Sequence, residues 1–194
     1  MLGGDAEAFG ELYDRRQGGL YRYALRMTGS EAIAEDVTHD VFVALMRDGG
    51  QYDEARGSLK SYLYGRARHR VLRRLQGEKN LISIDEQVQD DDSKNDRMND
   101  HLMASNDPFI ELARGETVGL VRQAILSLPA HFREVIVLCE LQELNYADAA
   151  QLIECPIGTV RSRLNRGRAL LVEKLRGLQE SNLGGRTVNA GQAI

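Results

Sequence analysis

The chain has 194 residues, a formal net charge of −4 and 42% hydrophobic residues, enough for one large or two small buried cores. Three prolines, no Trp and frequent Ala, Leu, Arg and Glu predict a mostly helical protein. The longest fully apolar stretch, Val135 to Cys139, is far too short to span a bilayer and no signal peptide is visible, so no membrane insertion is expected.

Charge is unevenly spread. Residues 1–75 hold 12 basic and 11 acidic side chains, residues 76–110 hold 3 and 9, and residues 111–194 hold 10 and 9. The deficit therefore sits in the middle, and the bulk charge does not exclude nucleic acid.

In chain order, helices are predicted at about 5–27, with a break at Gly18–Gly19, then 31–48 and 57–76. Ser30 precedes the second as an N-cap. The Asp/Asn/Ser-rich middle lacks helical periodicity and reads as a mobile acidic linker over 78–108. Further helices follow at about 110–127, 130–142, 146–153 and 156–178, with Asn145 and Asp148 resembling a capping box. The Gly-rich tail, 179–194, reads as unstructured. The expected fold class is all-α: a helical domain over 1–77, the flexible acidic linker, and a helix-turn-helix domain over 109–178.

Three helical faces call for a role. On 31–48, Ile33, Val37, Val41, Ala44 and Leu45 form the buried side, while Asp36, His39, Asp40, Val43 and Arg47 lie opposite. No fourth ligand is near, so His39 reads as a surface residue or protein contact, not a metal ligand.

From Leu59 to Arg74 there are six Lys and Arg and no acid. Leu59, Leu63, Ala67, Val71 and Leu75 step along one side, and Tyr62, Arg66, His69, Arg70 and Arg73 cluster on another arc. Cations hold phosphates and an aromatic ring stacks on a base, which suits a single strand. A merely solubilising basic helix remains open on these residues alone.

In the last helix, Ile157, Val160, Leu164 and Leu171 share a buried stripe. Thr159, Ser162, Asn165 and Arg166 fall opposite, flanked by Arg161 and Arg163. That face offers hydrogen bonds and positive charge with no carboxylate, as base edges and phosphates require. A short helix and a tight turn come just before it, the helix-turn-helix pattern. Arg168 lies near the buried stripe and is the arginine least expected to read DNA.

Cys139 and Cys155 lack ligand spacing and suit core thiols in a reducing, cytoplasmic setting. There is no Gly-rich phosphate loop, no H-E-x-x-H and no nucleophile elbow. No enzyme, cofactor, metal or small-molecule substrate is expected.

In this order, "GDAEAFGELYDR", "AEDVTHDVFVAL", "GSLKSYLYGRARHRVLRR" and "LPAHFREVIVLCELQELNYADAAQLIECPIGTVRSRLNRGRALL" resemble the extracytoplasmic-function (ECF) sigma factors of bacterial RNA polymerase. The resemblance implies that Asp36, His39 and Asp40 contact core RNA polymerase. It implies that Tyr52, in the loop from Gly49 to Ser58, holds a flipped promoter base. Tyr62, Arg66, His69, Arg70 and Arg73 would contact the melted minus-ten strand. Thr159, Arg161, Ser162, Arg163, Asn165 and Arg166 would read the minus-thirty-five duplex. An anti-sigma factor is a further implied partner, one able to hold the chain at the inner membrane. The acidic linker would thread a cationic channel in polymerase. Tyr62 stands where many members carry Trp, and His39 where Gln is usual. Arg66 and His69 replace an aliphatic residue and an Asn. Glu154 stands where the turn usually has Gly; a positive φ there would cost roughly 1 kcal/mol. Gly167, on the buried stripe where Ala is usual, would permit close approach. The alternatives are a conventional helix-turn-helix regulator acting without polymerase, or a helical adaptor that binds only protein.

Overall fold

In the computed structural model, residues 6–48, 52–82 and 108–188 are described, and all regular structure among them is helical. The order is α1 (Ala6–Thr28), α2 (Glu31–Asp48), a single 3-10 turn (Glu54–Arg56), α3 (Leu59–Ile82), α4 (Pro108–Leu126), α5 (Ala130–Val135), a π-helical turn (Ile136–Leu141), α6 (Tyr146–Ile153) and α7 (Ile157–Val188). Residues 83–107 of the predicted linker lie outside the described residues, whereas 78–82 continue α3 and Pro108 opens α4.

Local chemistry sets most boundaries. Gly29, at φ 77, ends α1, and Ser30 Oγ accepts from Ile33 N at 3.3 Å to open α2. Asn145 Oδ1 accepts from Asp148 N at 2.8 Å, the first bond of the expected capping box, while the second runs between side chains, Asn145 Nδ2 donating to the Asp148 carboxylate at 3.0 Å. Glu154 sits at φ 59, ψ 47, the left-handed region that the tight turn demands.

Three predictions need correction. Helix α1 is unbroken at Gly18–Gly19: Gly19 lets neighbouring side chains approach, since a Cβ there would lie 2.8 Å from Tyr64 Oη. The tail from 179 is helical as far as Val188, because no proline stops α7 and adding a residue to an existing helix costs little. Ile157, placed on the buried stripe, is 41% exposed because it occupies the first turn, at the edge of the packed surface.

The core of α1, α2 and α3 contains Leu20, Tyr23, Met27, Val37, Val41, Leu63, Ala67 and Val71. In the second half, Val135 to Leu138 are buried in succession. Four consecutive residues span most of a helix circumference, so this segment is surrounded on all sides. Gly167 lets α7 close onto it, since a Cβ there would meet Ile136 at 3.2 Å.

The two halves are docked through polar groups as well as apolar ones. Tyr64 Oη donates to Gln142 Oε1 at 2.7 Å, and Arg68 Nε donates to Glu134 Oε1 at 2.7 Å. Arg133 donates to the carbonyls of Met27 at 2.6 Å and Leu128 at 3.1 Å, and also to that of Leu126. Lys60 Nζ reaches the Glu143 carbonyl at 3.3 Å.

Candidate nucleic-acid interface

Burial of Leu63, Ala67 and Val71 fixes the rotation of α3. It turns Tyr62, Arg66, His69, Arg70 and Arg73 into one open groove, which Gly65, Arg74 and Asp40 of α2 also line. All five residues singled out on α3 are thus brought together. Tyr62 is held on two sides. Arg66 Nη2 and Nε donate to its hydroxyl at 2.7 and 3.1 Å, with the guanidinium carbon 5.2 Å from the ring centroid. The Tyr52 ring meets it edge-on at 5.6 Å. Tyr52 Oη donates to Gly57 O at 3.3 Å, and Asp53 caps the 3-10 turn by accepting from Ala55 N at 3.0 Å. The loop next to the groove is therefore tied down where it meets Tyr62.

Val37, Val41 and Leu45 are buried on α2, which leaves Asp36, His39 and Asp40 exposed together. This acidic patch borders the basic groove. Asp36 Oδ2 lies 3.3 Å from Arg74 Nη2, and Asp40 Oδ2 lies 3.7 Å from Arg70 Nε. Arg70 Nη2 also donates to the Asp40 carbonyl at 3.1 Å. Among the described residues, no group of three or more His, Cys, Asp or Glu is placed to hold a metal ion.

On α7, Val160 and Leu164 are buried, and Arg161, Ser162 and Asn165 line a shallow depression together with Tyr146, Gly158, Leu164 and Arg168. Thr159 is half-buried and does not line it, and its carbonyl accepts from Ser162 Oγ at 3.0 Å. Arg163 is half-buried and Arg166 exposed; neither lines the depression.

Two residues of this face were missed. Tyr146 comes from the start of α6, too far along the chain for the α7 pattern to show. Arg168 has a side chain 53% exposed and sits 2.5 Å from Glu140 Oε1. The hydrogen bond and charge of Glu140 raise its pKa further. A helical wheel locates its Cα near the buried stripe, but its long side chain leaves the stripe and reaches the surface.

Residues 12–80 match the family model for Sigma-70 region 2, and residues 119–171 match that for Sigma-70, region 4. The chain is 28% identical over 179 residues to the ECF RNA polymerase sigma factor SigW of Bacillus subtilis (strain 168), covering 90% of this chain and 92% of that protein. It is 29% identical over 181 residues to the ECF RNA polymerase sigma-E factor of Haemophilus influenzae, covering 90% and 91%. Among solved structures, the fold is similar to that of the sigma factor RpoE in complex with the anti-sigma factor NepR from Bartonella quintana. That match has a TM-score of 0.71 at 21% identity, covering 88% of this chain and 98% of that one. It is also similar to CnrH in complex with the cytosolic domain of CnrY, with a TM-score of 0.60 at 22% identity, covering 92% and 91%.

Proposed function

Since the chain belongs to the extracytoplasmic-function sigma factors of bacterial RNA polymerase, we propose that its two exposed basic faces divide promoter recognition between them. The chain is a transcription initiation factor that binds core RNA polymerase and directs it to specific promoters. In this reading the α3 groove takes the melted minus-ten strand. Tyr62 offers a base-sized ring, Tyr52 flanks it, and Arg66, His69, Arg70 and Arg73 supply positive charge for phosphates. The α7 face takes the minus-thirty-five duplex, with Arg161, Ser162 and Asn165 at base edges or phosphates and Thr159, Arg163 and Arg166 around them. Asp36, His39 and Asp40 contact polymerase. The observation that carries the reading is the convergence of Tyr62, Arg66, His69, Arg70 and Arg73 in one open groove.

The corresponding units are 1–77 for polymerase and minus-ten contacts and 109–178 for the minus-thirty-five element, with 78–108 as tether. The chain performs no chemistry of its own: the polymerase supplies the active site. It works in the cytoplasm, where the DNA is, and an anti-sigma factor is its expected inhibitor. No helix of the described residues is long and apolar enough to cross a membrane.

Run-off transcription with core polymerase, with and without the chain, tests this. A promoter-specific transcript is expected only with the chain. Tyr62→Ala should lose reactivity of unpaired minus-ten thymines, and Asp36→Lys should lose the transcript while keeping the helical circular dichroism spectrum. Full transcription by Asp36→Lys would remove the polymerase assignment. Tight, specific operator binding by the chain alone would favour a conventional regulator.

A further inference from the structure

Asp36 and Asp40 stand one helical turn apart on α2, and Arg70 and Arg74 stand one turn apart on α3. The pairs meet in antiparallel register, Asp36 with Arg74 at 3.3 Å and Asp40 with Arg70 at 3.7 Å. The Arg70 guanidinium is tied a second time, to the Asp40 carbonyl at 3.1 Å. Continuing the register by one turn would bring Arg66 opposite residue 44, an alanine, and there the ladder stops: Arg66 turns to the Tyr62 hydroxyl at 2.7 Å. Arg70 and Arg74 at the groove are thus each matched by an α2 carboxylate.

We propose that Asp36 and Asp40 act as internal stand-ins for nucleic-acid phosphate, holding Arg74 and Arg70 until polymerase engages the two carboxylates. Contact with polymerase then frees both arginines for the melted strand. The same two acids serve two binding events in turn, so nucleic-acid affinity in the groove rises only where polymerase is present. This inference rests on the polymerase and minus-ten reading above. It adds that the two surfaces are coupled through named ion pairs.

The expected size is modest, as both pairs are partly solvated. An exposed ion pair shifts an equilibrium about 1.5- to 5-fold, so two together shift it roughly 2- to 25-fold. The more specific signature is in the salt dependence. Each added phosphate contact to a single strand steepens the plot of log affinity against log salt by about 0.7, giving up to about 1.4 for two.

The test uses the full chain without polymerase and a fluorescent single-stranded DNA oligonucleotide, titrated by anisotropy at several salt concentrations. The Asp36→Asn/Asp40→Asn variant should bind roughly 2- to 25-fold more tightly than the unmodified chain, with a slope steeper by about 0.7 to 1.4. Glu31→Gln/Glu35→Gln is the charge-matched control. These two acids lie on the same helix, but their charges act on Tyr21 of α1. It should gain less and leave the slope unchanged. Adding Arg70→Gln and Arg74→Gln to the Asn variant should abolish the gain. Equal gains and slopes in the two acid variants would overturn the proposal, as would a gain that survives loss of both arginines or no binding by any variant at low salt. None of these results bears on the polymerase assignment itself, which stands or falls with the Asp36→Lys transcription assay.

Discussion

Arg68 and Glu134 are the clearest place to perturb the docking of the two halves. The Glu134 side chain is 8% exposed and that of Arg68 20%, with Nε to Oε1 at 2.7 Å. At an effective dielectric near 20, two charges at that distance attract by about 6 kcal/mol, but the cost of stripping water from both offsets most of it. The pair is therefore worth little relative to an apolar pair, while breaking it from one side is expensive. Arg68→Met leaves a buried carboxylate without its cation, which costs about 3–5 kcal/mol in a dry site. The fifth of Arg68 that is exposed lets water reach the carboxylate, so the expected cost is about 2–3 kcal/mol, or roughly 5–7 °C in Tm for a chain of this length. Glu134→Leu added to Arg68→Met should recover more than half of that loss. Urea denaturation followed by circular dichroism on the four proteins of the cycle measures the coupling, expected at about 1.5 kcal/mol or more. A loss below about 0.5 kcal/mol for Arg68→Met, with the second mutation simply additive, would refute the argument that this pair is desolvated and holds the halves together.

Other substitutions probe separate features. Glu154→Gly relieves the left-handed conformation at φ 59 and should stabilise the protein by roughly 0.5–1 kcal/mol, read as a higher urea midpoint at unchanged m. Gly19→Ala puts a methyl group 2.8 Å from Tyr64 Oη, so it should displace that ring and destabilise by about 1–3 kcal/mol despite the better helix propensity of Ala. Burial pushes the Cys139 thiol up to about 11. At pH 8 only about one molecule in a thousand then carries the thiolate, so in a Cys155→Ser background iodoacetamide should alkylate Cys139 much more slowly than it does glutathione.

The helices were legible in the sequence where local chemistry is sufficient. The Asn145–Asp148 cap, the Ser30 cap and the stripe of Val37, Val41 and Leu45 all depend on residues a turn or two apart. So does the groove: burying Leu63, Ala67 and Val71 fixes the arc of α3 on which Tyr62, Arg66, His69, Arg70 and Arg73 lie. What pattern reading could not supply is pairing over distance. Arg68 and Glu134 are 66 positions apart, and Tyr64 and Gln142 are 78 apart, so the docking of the halves leaves no periodic trace. The same holds for the acidic patch on α2. Its residues were found, but not its ladder with Arg70 and Arg74, because that depends on how two helices are set side by side. Gly18–Gly19 misled for a related reason: a glycine suggests a break, and only the neighbours reveal that it provides clearance.

Arg133 gathers carbonyls from two helix ends that belong to different halves: Met27 in the last turn of α1, and Leu126 and Leu128 at the close of α4. A helix terminus leaves its final carbonyls without internal partners, and here one guanidinium serves both ends at once. Separating the halves therefore takes from the end of α1 the guanidinium that its Met27 carbonyl accepts from. Amide hydrogen exchange in the turn around Leu25 to Gly29 then becomes a gauge of separation, expected to quicken when that partner is lost, as in Arg133→Met.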